Sequence, residues 1–317
     1  MRQCAALAAL AATSAHAQGE FRPSRPVRLI SPLLAGGAVD AIVRPIALRL
    51  AELWGQPVVV ENRPGGGTII GTQAVVQSAP DGHTFGVAIN SLVINPSLRP
   101  DLPYDTFKDV TALTQIGNIT GVLVAHPSFP ANNVQQLIDL ARASPGSLSY
   151  ASLGIGTAAH ITAELIKVRK GIDIVHVPYA GSSAAYRELL PGRVPVGFVV
   201  LESALPHVRA GKLKVLALTD PRRSKVYPEF PALDETLPGF GYDSPFGFIG
   251  PRGLPPAVAG AISRDLVRVL REDAIREQLS RQAIDTVAST PQEFSALIRN
   301  EVDYWKRAVK ESGAHVS

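Results

Sequence analysis

The chain has a single cysteine, Cys4, and it lies in a segment that does not read as part of the fold. Arg2 gives a positive start, Ala5 to Ala12 a short apolar stretch, and Ala15-His16-Ala17 an A-x-A site. That is the pattern of a secretory signal peptide over residues 1–17, cleaved near Ala17. Loss of Cys4 with it leaves no cysteine, which excludes disulfides, thiol catalysis and cysteine-bound metals. Aromatic residues make up only 6%, too few for the stacking platforms of single-stranded nucleic-acid binders. The formal charge is +4, yet Lys and Arg are scattered, without the clustering of a nucleic-acid footprint. A mildly basic surface and faster capture of anionic ligands remain the two readings of that charge. After the signal no apolar run approaches the roughly 18 residues of a membrane span. HExxH and GxSxG are absent, and His83, His126, His160, His176, His207 and His315 show no metal-ligand spacing. Neither an internal repeat nor a low-complexity tract follows the signal.

What is present is an alternation of strand-length apolar runs with amphipathic stretches, the pattern of parallel sheets covered by helices. A length of 317 residues suggests two lobes at roughly 150 residues per domain. "VRLISP" (27–32), "PVVVEN" (57–62) and "HTFGVAIN" (83–90) predict the first strands. Ile42, Val43, Ile46, Ala47, Leu50 and Trp54 mark a helix after the first of them, in which Pro45 predicts a kink. A second series runs from "GVLVAHP" (121–127) to "KLKVLALT" (212–219) and forms a doubly wound unit by itself. The tail adds "FGFIGP" (246–251), a helix from Pro256, and a last helix with Thr290 as cap, Pro291 at its first position and Glu293 closing a capping box. These tail helices have few strands of their own to cover. The expected arrangement is therefore lobe 1 from residues 18–121 plus 221–317, lobe 2 from 122–220, and a ligand cleft between them.

Ligands of open α/β sheets sit beyond the carboxyl ends of strands, where this chain places its glycines. Gly36 and Gly37 precede Ala38, Val39 and Asp40; in the second series "ASLGIGTAAH" (151–160) repeats the device with Gly154, Gly156 and Thr157. Glycine permits close approach to backbone N–H groups, and a helix start offers unpaired donors with partial positive charge, so each site is a candidate anion cradle. Glycines so placed also serve merely to tighten a turn, and the residues alone leave both readings open. Asp40 has a complete explanation as a helix-dipole partner, and His160 either faces the cleft or packs its helix. Loops 31–40, 88–95, 152–160 and 178–183 contain no Lys or Arg. An anion there would depend on hydroxyls and amides at about 1.5–3 kcal/mol per charge-assisted bond, of which roughly four or five cover micromolar binding. Two rivals remain. "GIGTAA" with Asp173 about twenty residues on fits a dinucleotide fingerprint, giving a dinucleotide-dependent oxidoreductase built on Gly154-Ile155-Gly156, and Ser91 or Ser152 would serve a secreted hydrolase.

"PSRPVRLISPLLAGGAVDAIVR", "GQPVVVENRPGGGTIIGTQAVVQSAPDGHTF", "LPYDTFKDV", "SYASLGIGTAAHITAELIK", "IVHVPYAGSSAA" and "SALPHVRAGKLKVLALT" together resemble the Bug family, extracytoplasmic solute receptors of tripartite tricarboxylate transporters. The resemblance runs from about Arg22 to the C-terminal helix. It implies an α/β, two-lobed periplasmic-binding-protein (Venus-flytrap) fold, each lobe a doubly wound mixed sheet with flanking helices, joined by two crossover segments. It also implies a periplasmic, monomeric receptor that needs no cofactor and performs no chemistry. Such a receptor takes a small mono- or dicarboxylate to inner-membrane transporter subunits, which some receptors of this kind lack. Ligand contacts would come from Leu33, Gly37, Ala38, Asp40, Asn90 and Ser91 in lobe 1. In lobe 2 they would come from Ser152, Gly154, Gly156, Thr157, Ala158, His160 and Tyr179. The chain departs from the family pattern at Leu33 (usually aromatic), Ala35 (commonly proline), Ala180 (often basic) and Val199-Val200 (frequently Asp-Asn). These changes make the expected cleft less polar and point to a carboxylate with a less polar remainder.

Overall fold

The computed structural model describes residues 21–36, 38–179 and 181–314; the expected signal peptide and its cleavage point lie outside them. The first elements are β1 (Val27–Ser31), α1 (Ala38–Trp54), β2 (Val58–Asn62), α2 (Ile69–Val76), β3 (Thr84–Ala88), α3 (Ser91–Leu98) and β4 (Val110–Asn118). Next come β5 (Gly121–Ala125), α4 (Val134–Ala143), β6 (Ser149–Ser152), α5 (Ala158–Lys170), β7 (Val175–Pro178), α6 (Ser182–Leu189), β8 (Val196–Val200), α7 (Leu201–Arg209) and β9 (Lys214–Leu218). The chain ends with α8 (Leu233–Thr236), β10 (Pro245–Pro251), α9 (Pro256–Leu270), α10 (Asp273–Arg281) and α11 (Pro291–Ser312).

Two five-stranded sheets result, ordered β2-β1-β3-β10-β4 and β7-β6-β8-β5-β9. In each, three parallel strands are followed by one antiparallel strand and then by an edge strand that runs with the first three. The inner antiparallel strand, β10 or β5, is the first one laid down after the chain crosses from the other sheet. The two lobes thus share one topology although the sequence shows no repeat. The crossings run through residues 119–120 and 219–244. They are bonded to one another through Ile119 N–H, which donates to Ser244 O (2.9 Å), while Thr219 N–H donates to Gly121 O of β5 (2.9 Å) and Tyr242 N–H ties the second crossing to itself at Thr219 O (3.0 Å).

Each sheet is covered on both faces, which is why most residues of its inner strands are buried. In the first sheet Leu29, Phe85 and Phe248 meet Ile46 of α1 and Ile262 of α9 on one side; Ile30 and Ile249 belong with Leu92 of α3 and Trp305 of α11 on the other. In the second, Tyr150 and Phe198 pack with α5 and Val199 with α6 and α7. Fully burying each such side chain contributes roughly 1.5–3 kcal/mol. The last helix keeps its expected cap, with Thr290 Oγ1 accepting from Glu293 N–H and the Glu293 carboxylate accepting from Thr290 N–H. Its stripe of Phe294, Ile298, Val302, Trp305 and Val309 is buried, against α3 and β4 and also against α5 of the second sheet.

Four elements escaped the sequence pattern: β4, α3, α8 and α10. Strand β4 does not alternate cleanly because its pairing with β10 slips between Phe246 and Gly247 and again between Phe248 and Ile249. Helix α3 is short and carries Pro96. Helix α1 runs through Pro45 without a break. Proline deprives the Ala41 carbonyl of its i+4 donor, and Gln278 Nε2 of α10 takes that place at 2.8 Å.

Candidate functional site

Between β1 and α1 the chain is held by Asp40. The Asp40 Oδ2 accepts from Gly36 N–H (3.1 Å) and Arg44 Nε (2.6 Å), and Oδ1 from Arg44 Nη2 (3.1 Å) and Asn62 Nδ2 (3.0 Å). Asn62 Nδ2 also donates to Leu33 O at 3.0 Å. The Arg44 guanidinium leads these bonds in holding the Asp40 carboxyl at about 2 against the opposing effect of burial. A carboxylate so saturated braces residues 33–36 and leaves Leu33 and Val39 to border the cleft. Gly37 lies outside the described residues; Ala38 is the first residue of α1.

The facing loop, between β6 and α5, is braced in the same way. Gly154 N–H donates to Ser152 Oγ (3.2 Å) and Gly156 N–H to His160 Nδ1 (3.2 Å). With φ of 127° and 79°, these two positions favour glycine. Ser152 Oγ lies 2.6 Å from His176 Nε2. The His176 ring stacks on His160 (4.3 Å) and Tyr150 (4.9 Å), and Tyr150 OH donates to Glu164 Oε1 (2.8 Å). Burial, and then the neighbouring His160, lower His176 to about 4, so it is neutral. Tyr179 extends the β6 ladder through its N–H to Ser152 O (3.0 Å). Thr157 caps α5, its Oγ1 accepting from His160 N–H (3.3 Å) and donating to Gly154 O (2.8 Å). The first intrahelical bond is Ile161 N–H to Thr157 O at 3.0 Å. The amides of Ala158 and Ala159 therefore have no acceptor within the helix.

Those two residues border a cavity of about 440 Å³ between the lobes. Leu33, Leu34, Val39, Ile89 and Asn90 close it from the first lobe, and Leu153, Thr157, Phe198, Val199 and Val200 from the second. The crossings form its floor through Ile119, Gly121, Thr219, Tyr242 and Ser244. No charged side chain lines it among the described residues. Four helices, α1, α3, α5 and α7, begin at its rim, each directly after a parallel strand, and their N-termini give a positive field. An adjoining compartment of about 240 Å³ shares Ile89, Asn90 and Thr157 and adds Thr68, Ser91, Asn95, Arg99, Ile155 and Gly156.

Of the residues singled out in the sequence, the structure brings Leu33, Asn90, Thr157 and Ala158 together on the cavity and Ser91 and Gly156 on its neighbour. Asp40, Ser152 and His160 are buried, Gly154 and Tyr179 are half-buried, and none of the five borders either compartment. The floor residues Thr219, Tyr242 and Ser244 and the wall residue Phe198 carried no sequence signal, because only the crossing geometry assembles them. Asp220 and Asp243 adjoin the floor in the chain. Burial above all, with help from Asp243, raises Asp220 to about 7, and burial raises Asp243 as well.

The geometry also weighs the rivals. Asp173 precedes β7, and its carbonyl accepts from Gly146 N–H (3.0 Å) at the amino end of the sheet. The glycine loop leaves the carboxyl end, so the two never meet around a ribose. Ser152 and His176 are spaced like a nucleophile and base, but Ser152 is fully buried and borders neither compartment.

The family model described as "Tripartite tricarboxylate transporter family receptor" matches residues 42–314. Protein BugT of Bordetella pertussis is 33% identical over 309 residues, 96% of this chain and 95% of that protein. Among solved structures, the R. palustris protein determined with adipate matches with a TM-score of 0.80 at 29% identity, over 92% of this chain and 99% of its own. MatC of Rhodopseudomonas palustris with bound malate matches with a TM-score of 0.77 at 27% identity, over 90% and 99%.

Proposed function

The chain belongs to the tripartite tricarboxylate transporter receptor family, and on that premise we propose that it is a periplasmic receptor that closes its lobes around a small organic carboxylate. The observation that carries this reading is the interlobe cavity, bordered by Ala158 and Ala159 at the unpaired start of α5 and ringed by four helix N-termini. A carboxylate placed there accepts two charge-assisted bonds from these amides, about 1.5–3 kcal/mol each. It gains further from the helix ends. Thr157 and Asn90 border the same cavity and add neutral donors. Closure follows because both lobes touch the guest only when shut, and differential affinity alone shifts the open and closed populations. The adipate and malate bound to the two R. palustris proteins support the ligand class. The receptor performs no chemistry, and an inner-membrane transporter takes the guest from it. No helix among the described residues is long and apolar enough to cross a membrane. Calorimetric titration with a panel of mono- and dicarboxylates tests the reading: saturable one-to-one binding is expected, and no heat from any carboxylate would sink it.

A further inference from the structure

We infer that the guest is a monocarboxylate with an uncharged, apolar, branched or aromatic body; this rests on the receptor reading and adds the substrate class. Asn90, Thr157 and the start of α5 at Ala158 and Ala159 offer donors to the cavity, and Thr219, Tyr242 and Ser244 add hydroxyls on its floor, but no cationic side chain lines it. The rest of the lining is mainly apolar, with Leu33, Val39, Ile119, Phe198, Val199 and Val200 on its walls and floor. A second carboxylate against these side chains would be stripped of water with no cationic side chain to pair it.

The floor is no better for a second charge. Thr219 and Ser244 are the chain neighbours of Asp220 and Asp243, and the Asp220 Oδ2 is sealed from solvent without a partner. A second anion over that floor meets like charge whenever these acids ionise. An apolar body instead covers the aliphatic wall and removes it from water. Val199 and Val200 are decisive, since they stand at the end of β8 and both border the cavity. The competing arrangement is a dicarboxylate that passes Asn90 and Thr157 into the adjoining compartment and ends on Arg99.

The experiment is calorimetry at pH 7.5 on the purified exported chain with 4-methylpentanoate, phenylacetate, adipate and malate, repeated on Val200→Asn and Arg99→Gln, each checked by thermal melting. The tighter of the two monocarboxylates is expected to bind at least about tenfold better than either dicarboxylate, as hydrophobic-pocket discrimination allows. Val200→Asn should erase most of that margin, and Arg99→Gln should leave it intact. Adipate or malate binding as well or better would overturn the substrate class while leaving a carboxylate receptor standing, and loss of that preference in Arg99→Gln would identify the competing arrangement. If none of the four binds, the receptor reading falls too.

Discussion

Replacing Ala158 by proline removes one ligand donor and little else. Ala158 is the first helical residue of α5, the position where a proline ring fits and its missing N–H breaks no helical bond. The preceding residue must be extended, and Thr157 already is, at φ −74° and ψ 157°. Folding stability should therefore move by no more than about 1 kcal/mol. Binding should weaken by the value of one charge-assisted bond, about 1.5–3 kcal/mol, or roughly 10- to 150-fold in Kd. Calorimetry with the tightest carboxylate of the panel measures it. Trp305 offers a second readout, because Tyr242 borders the cavity and packs edge-on against the Trp305 ring at 5.0 Å. An unchanged Kd in a variant of unchanged melting temperature would mean that the α5 amides do not hold the guest.

Three further outcomes are expected. Asp40→Ala frees Gly36 N–H and strips Arg44 and Asn62 of their acceptor, so it should cost roughly 1–3 kcal/mol of stability in a denaturant melt and weaken binding by loosening residues 33–36. Asp220 and Glu301, raised mainly by burial to about 7 and about 8, hold protons in the fold that the unfolded chain releases near pH 4; the stability they contribute is complete below that pH and is lost as pH rises through 7 to 8. Asp220→Asn should accordingly raise the melting temperature more at pH 8.5 than at pH 5.5, and an equal change at both would refute the assignment. His176 runs the other way: its pKa is lowered to about 4, so the unfolded chain binds the proton first, stability falls as pH drops from 6.5 to 4, and His176→Gln should flatten that limb of the melting profile.

The order of strands and helices was readable because each lobe buries its central strands on both faces, which writes continuous apolar runs, and because caps such as Thr290 with Glu293 announce helix starts. What escaped depends on partners distant in sequence. The irregular pairing of β4 with β10 joins segments more than a hundred residues apart and erases the alternation of Val110–Asn118. The glycine loops located the cleft, yet the sequence could not say which amides stay open. That depends on Asp40 taking Gly36, Ser152 taking Gly154 and His160 taking Gly156, and on His176, 24 residues past Ser152, holding the serine. The glycines are thus the hinges of braced turns, and the open donors fall one step later, on Ala158 and Ala159.

This division separates two tasks that a receptor must perform at once. On the proposed reading, negative charge is recognised by main chain: one topology laid down twice brings the carboxyl ends of β1 and β3 opposite those of β6 and β8, so that four helices start around the cleft. On that reading their fields act together on a carboxylate only when the lobes close, so that the guest itself would drive closure. Buried side-chain bonds hold that frame, and a substitution at Asp40, Ser152 or His160 would disturb it whatever the guest. Phe198 and Val199 also pack in the core of the second lobe, but the half-buried side chains of Leu33 and Val200 border the cavity and carry no polar atom of the frame. Exchanging them therefore changes which acid is chosen without dismantling the device that holds an acid, so specificity on this scaffold should follow the β8 end and the loop after β1 rather than the glycine turns.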